Sequence, residues 1–121
     1  MTVTTRDTGE RKQMFGFTAR HLTEATLPDF SDRTAVLARM NGKVVGIIAN
    51  NPMVYGGAMD VKAARKQTHF IELCDTFHIP IIFLVDVPGF MVGLAAEQAA
   101  TLREGMRAVY VALQATVPML T

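Results

Sequence analysis

The stretch Ile79–Gly93, IPIIFLVDVPGFMVG, constrains the fold more than any other part of the chain. An uninterrupted apolar run, Ile79–Val85, stops at Asp86, and Pro88 and Gly89 follow at once. A run of this kind, rich in β-branched residues and without polar alternation, reads as a parallel-sheet strand buried on both faces. Open α/β sheets place their ligands beyond the carboxyl ends of such strands. Pro88 lacks an N–H and fixes φ, whereas Gly89 tolerates positive φ and a close backbone approach. The amides of Gly89 and Phe90 are left free to face something negative. This turn is where chemistry is expected.

The remaining composition narrows the choices. A chain of 121 residues that is 50% hydrophobic and 19% charged suits one globular domain and argues against disorder. A net charge of +1 gives no reason to expect nucleic acid or an anionic membrane as a partner. No apolar run approaches the roughly 20 residues of a transmembrane helix. The opening MTVTTRDTGERK lacks the apolar centre of a signal peptide, so the expected location is cytoplasmic. Cys74 is the sole cysteine, which excludes a disulfide framework and a cysteine-rich metal site. It falls in the apolar stripe of an expected helix and reads as a packing residue.

Residues 1–33 are the least legible segment. Thr2–Thr5 is β-prone, Asp7-Thr8-Gly9 is turn-like, and Lys12–Leu22 suits the second strand of a hairpin or a short helix, which Pro28 ends either way. Arg6, Arg11, Lys12 and Arg20 make a mild basic cluster that reads as a solvated face. From Thr34 the pattern sharpens. TAVLARM and KVVGIIAN are two strands joined by Asn41-Gly42, a strong signal for a tight hairpin, and Asn50-Asn51-Pro52 stops the second strand. In the loop Met53–Met59, Gly56 and Gly57 either turn the chain or let backbone approach a ligand. Asp60 is a good N-cap for a helix reaching His78, with Ala63, Phe70, Leu73, Cys74 and Phe77 as its apolar stripe. Phe70, Leu73 and Phe77 are expected to pack on Ile81 and Phe83, or on their alternates Ile82 and Leu84. His69 and His78 lack the neighbours of a metal site, and His78 suits a helix C-terminus. Ala95–Ala115 reads as a second helix with Ala99, Leu102, Met106, Val109 and Leu113 inward and Glu97 in its first turn. Thr116-Val117-Pro118 opens another strand. The order β-β-α-β-α-β requires an α/β fold with parallel pairing.

The motifs RMNGKVVGIIANNPM, FIELCDTFHIP and LVDVPGF, in one register from about Thr34 to Thr121, resemble the C-terminal half of biotin-dependent acyl-CoA carboxyltransferases. Propionyl-CoA and acetyl-CoA carboxylase β-subunits typify that family. The resemblance implies a partial crotonase-like fold of repeated β-β-α units over residues 34–121, preceded by a segment, 1–33, of unknown role. It also implies a chemistry. A carboxyl group passes from carboxybiotin, held on a separate biotin carboxyl carrier protein, to the α-carbon of an acyl-CoA, with backbone amides stabilising developing oxyanions. On matched positions the amides of Gly89 and Phe90 are the implied donors. Gly93 shapes the loop, Glu97 braces it, and Gly56 and Gly57 lie near the cleft. The full-length protein is expected to be a homo-oligomer. Two departures stand out. There is no room for the half that grips the acyl-CoA, and the family's second Gly-rich donor turn would fall just after Thr121. The chain alone is therefore expected to be inactive.

Two other readings compete. Asp86-Val87-Pro88-Gly89 also fits the D-x-P-G turn of GTPases. That class needs G-x-x-x-x-G-K-[ST] as well, and here Leu37 and Val44 stand where Gly and Ser or Thr belong. The other is a non-catalytic domain that keeps the fold for packing and oligomerisation.

Overall fold

The computed structural model describes the backbone of residues 11–14 and 17–23 and the whole of residues 33–121. Its sheet has six strands in sequence order: β1 (Arg11–Met14), β2 (Phe17–Thr23), β3 (Arg33–Met40), β4 (Lys43–Asn50), β5 (Ile81–Leu84) and β6 (Met119–Leu120). β1 to β4 pair antiparallel, and β4, β5 and β6 pair parallel. The hairpin expected near the N-terminus therefore exists, but it joins Arg11–Met14 to Phe17–Thr23 within the stretch read as one strand. Thr2–Thr5, Asp7-Thr8-Gly9 and Pro28 lie outside the described residues.

Asn41-Gly42 turns β3 into β4 with φ of 49° and 81°. Positive φ at both residues is the I′ geometry, whose twist matches the strands it joins. Gly42-Lys43 is thus committed to a tight hairpin and is no phosphate-cradling loop.

Helix α1 (Val61–Thr76) starts where expected, with the Asp60 carboxylate accepting the Ala63 N–H at 2.7 Å. A cap of this type contributes about 0.5–2 kcal/mol. The helix ends in a Schellman turn: His78 is left-handed at φ 54°, its N–H donates to the Asp75 carbonyl, and the Ile79 N–H donates to the Cys74 carbonyl. The Asp75 carboxylate accepts both the N–H and the hydroxyl of Thr116, fastening the helix end to the approach to β6.

The main core lies between α1, α3 (Thr101–Gln114) and one face of the sheet. Ile48, Phe70, Ile71, Cys74, Ile81 and Val117 are buried there, with Phe83 packed alongside. Full burial of Ile48, Ile71 and Ile81 contributes about 1.5–3 kcal/mol each. Phe70 meets Ile81 and Phe83 as expected, but Leu73 and Phe77 do not join them: Phe77 is 65% exposed. The buried stripe runs through Ala63, Ala64, Thr68, Phe70, Ile71 and Cys74, and Phe77 is the C-cap, past the last residue of the helix.

The second face of the sheet corrects another expectation. Ala38, Val45 and Ile47 are buried on it, with Ile82 and Leu84 half-buried beside them. Among the described residues this cluster is built from strand residues, so β5 is parallel as expected but the described helices cover one of its faces.

The helix expected over Ala95–Ala115 is two helices, α2 (Leu94–Gln98) and α3, broken at Ala100 with φ 60°. Left-handed backbone costs an L-residue about 1–2 kcal/mol. The break re-aims α3, whose buried positions are Thr101, Glu104, Gly105 and Ala108. Small residues let it approach α1 closely, and Glu104 reaches Arg65 of α1 at 3.2 Å. The stripe expected to face inward (Leu102, Met106, Val109 and Leu113) is exposed, and so is Ala99.

Candidate active site

Beyond β5 the chain runs extended through Asp86–Phe90, and three contacts fix it. The first is Asn50, the last residue of β4. Its Oδ1 accepts the Asp86 N–H at 2.7 Å, and its Nδ2 donates to the Asp86 carbonyl. The second is Met59, just before α1. Its N–H donates to the Gly89 carbonyl at 2.9 Å, and its carbonyl accepts the Met91 N–H at 3.0 Å, a parallel bridge centred on Phe90. The third is Gly105 of α3, against which the Phe90 ring lies so closely that a Cβ there would run into it.

That bridge settles the direction of one expected donor. Met59 bonds the residues on either side of Phe90, so the N–H of Phe90 points away from Met59. Neither the Gly89 nor the Phe90 N–H meets an acceptor among the described residues. Gly89 has φ of 144°, and a side chain there would meet nothing within 4 Å. Two amide donors are thus left without a protein acceptor among the described residues, and a side chain at Gly89 would meet open space.

The other expected site residues separate. Gly57 is buried, and at its φ of 82° a Cβ would lie 2.6 Å from Asn50 Nδ2 and 3.0 Å from the Asp86 carbonyl oxygen. It belongs to the support of the turn. Gly56, its neighbour in the short 3₁₀ turn Tyr55–Gly57, is exposed. Gly93 is exposed at φ 112° and precedes α2 as its N-cap. Glu97 lies in the first turn of α2, where its N–H donates to the Gly93 carbonyl at 3.0 Å. Its carboxylate has no partner among the described residues, so any bracing there runs through the backbone.

Next to the Phe90 seat, Glu104 pairs with Arg65 at 3.2 Å and Arg103 at 3.7 Å. The Arg65 hydrogen bond holds its carboxyl below the usual carboxylate range, with Arg103 and Arg107 adding to the effect. Cys74 takes no part: burial pushes its thiol up to about 11. Among the described residues no three His, Cys, Asp or Glu side chains gather to hold a metal ion, and no helix is long and apolar enough to cross a membrane. The sequence contains a signal for Asn50, a strand-ending Asn whose amide can mimic a peptide unit. None marked Met59 or Gly105, because both act through backbone or through the absence of a side chain.

The carboxyl transferase domain profile matches residues 26–121. The chain belongs to the carboxyl transferase domain family. Over 84 residues this carboxyl transferase domain is 45% identical to the methylmalonyl-CoA carboxyltransferase 12S subunit of Propionibacterium freudenreichii, covering 69% of this chain and 16% of that protein. It is 42% identical over 96 residues to the human mitochondrial propionyl-CoA carboxylase beta chain, covering 78% and 18% respectively. The solved structure of transcarboxylase 12S, described as a hexamer assembly with methylmalonyl-coenzyme A bound, superposes with a TM-score of 0.71 at 42% identity over 73% of this chain and 17% of that one. The beta subunit of P. aeruginosa geranyl-CoA carboxylase gives 0.66 at 28% identity, over 73% and 16%. The crotonase-like α/β fold expected from the motifs is thus the observed one. The chain spans 16–18% of the length of these relatives.

Proposed function

We propose that this chain is the part of an acyl-CoA carboxyltransferase that presents the turn facing biotin. The observation that carries the reading is the pair of Gly89 and Phe90 amides, without acceptors, on a turn held from three sides. Biotin, when bound through its carrier protein, supplies the carboxyl group that is transferred to the α-carbon of an acyl-CoA. The Gly89 and Phe90 N–H groups hold its ureido oxygen. Gly57 keeps the support compact, Gly56 and Gly93 border the approach, and the Glu97 turn closes the loop. Preorganised donors of this type contribute about 3–4 kcal/mol each to a charge that develops in the transition state.

On this reading, gripping the acyl-CoA falls to the rest of the length of the relatives, of which this chain spans 16–18%. Losing substrate orientation forfeits on the order of 7–11 kcal/mol. The purified chain is therefore expected to show no carboxyl transfer from carboxybiotin to propionyl-CoA above the no-enzyme control. Turnover that Gly89→Pro abolishes would overturn the claim of inactivity and support the turn. Pro at that position removes the N–H and cannot adopt φ of 144°.

A second reading, a packing and oligomerisation domain without catalytic duty, is favoured by the exposed stripe Leu102, Met106, Val109 and Leu113. Self-association of the chain without any biotin or acyl-CoA binding would favour it.

A further inference from the structure

The pairing of β4 with β5 runs to Ala49 opposite Leu84 and then stops. One residue later the Asn50 side chain takes over the role of a ladder rung, bonding both the N–H and the carbonyl of Asp86. A primary amide is the side chain suited to this, since it offers one acceptor and a donor in the geometry of a peptide unit. Gly57 lies against both partners, so the bonded pair is enclosed on that side by backbone.

From these contacts we infer that Asn50 is a positioning residue for the donor turn. It sets the orientation of the Asp86 peptide, and Val87-Pro88 passes that orientation on to Gly89 and Phe90. Pro88 matters because its φ is fixed, leaving fewer torsions between Asp86 and Gly89 to absorb a change. The functional part of this inference rests on the reading of the turn given above. The structural part does not.

The test compares the 121-residue chain with its Asn50→Ala and Asn50→Asp variants by amide hydrogen exchange and amide NMR shifts, first without ligand. Asn50→Ala is expected to speed exchange at the Asp86 N–H by about tenfold, the equivalent of one lost hydrogen bond. It should also move the Gly89 and Phe90 resonances while leaving Ile48 and Ile81 in place. Asn50→Asp keeps the shape but loses the donor, and sets a carboxylate against the Asp86 carbonyl. At neutral pH it keeps an acceptor for the Asp86 N–H but repels the Asp86 carbonyl, and should still move the Gly89 and Phe90 resonances. Below about pH 4 its neutral carboxyl can donate and accept again, and the native Gly89 and Phe90 positions should return.

Native positions in Asn50→Asp at neutral pH would overturn the two-bond clamp, because the bond accepted from the Asp86 N–H alone would then suffice. Unmoved Gly89 and Phe90 resonances in Asn50→Ala would overturn it too. A biotin titration separates the two levels. Binding by the parent chain that weakens about tenfold in Asn50→Ala supports both the clamp and the biotin reading. No biotin response in the parent, with the turn still displaced in Asn50→Ala, rejects the biotin reading and keeps the clamp.

Discussion

Helices α1 and α3 lie against each other but use their side chains in opposite ways. α1 buries Phe70, Ile71 and Cys74 on the sheet. α3 buries Thr101, Glu104, Gly105 and Ala108 and leaves Leu102, Met106, Val109 and Leu113 uncovered within the described chain. The first helix holds the fold together by apolar burial. The second holds the turn, through the Phe90 seat at Gly105 and the ion pair of Glu104 with Arg65. A strong apolar periodicity thus need not mark the core of the same domain.

The contrast can be broken by substitution. The largest effect is expected on α1. Phe70→Ala should cost about 3–5 kcal/mol in a denaturant series, and a loss under about 1 would place the core elsewhere. A smaller loss is expected from Gly105→Ala on α3. In an exposed helix interior that change gains up to about 1 kcal/mol, but here the added methyl runs into the Phe90 ring and should cost about 1–3 kcal/mol instead. A stabilised variant with an unmoved Phe90 would contradict the proposed seat.

Acid should weaken both helix attachments. Bonds from the Thr116 N–H and hydroxyl lower the Asp75 carboxyl, as the Arg65 bond lowers that of Glu104. A carboxyl whose folded pKa lies below its unfolded value stabilises fully above the unfolded value and loses that contribution as pH falls through the folded one. Stability should therefore fall below about pH 4, and Asp75→Asn and Glu104→Gln should each flatten the acid limb. An unchanged acid limb in both would remove these carboxylates from the account of stability. The smallest effect is expected on the outer face of α3. Leu113→Lys should change the stability of this chain by no more than about 0.5 kcal/mol, and a drop beyond about 1 would show that the stripe is core after all.

The parts of the fold that local chemistry dictates were legible in the sequence. Asn41-Gly42 required a tight hairpin, Asp60 a helix start, and the run ending at Asp86 a parallel strand. The errors arose where tertiary contacts overrode local pattern. No Gly or Pro announces the break at Ala100, where φ is 60°. Phe77 keeps the helical period but sits at the C-cap, where the chain leaves the helix. The site divided in the same way. Pro88-Gly89 was legible as a break after a strand, which is why the proposed donors Gly89 and Phe90 could be named from the sequence. The partners that fix the turn were not identifiable, because Met59 contributes only backbone and Gly105 contributes only space.

The central claim is that the Gly89 and Phe90 amides form the donor face for biotin. The direct measurement is a biotin titration of the ¹⁵N-labelled chain, following every amide resonance. Saturable shifts largest at Gly89 and Phe90, lost in Gly89→Pro while Ile48 and Ile81 keep their positions, are the expected result. Shifts centred elsewhere, or binding that survives Gly89→Pro unchanged, would contradict it.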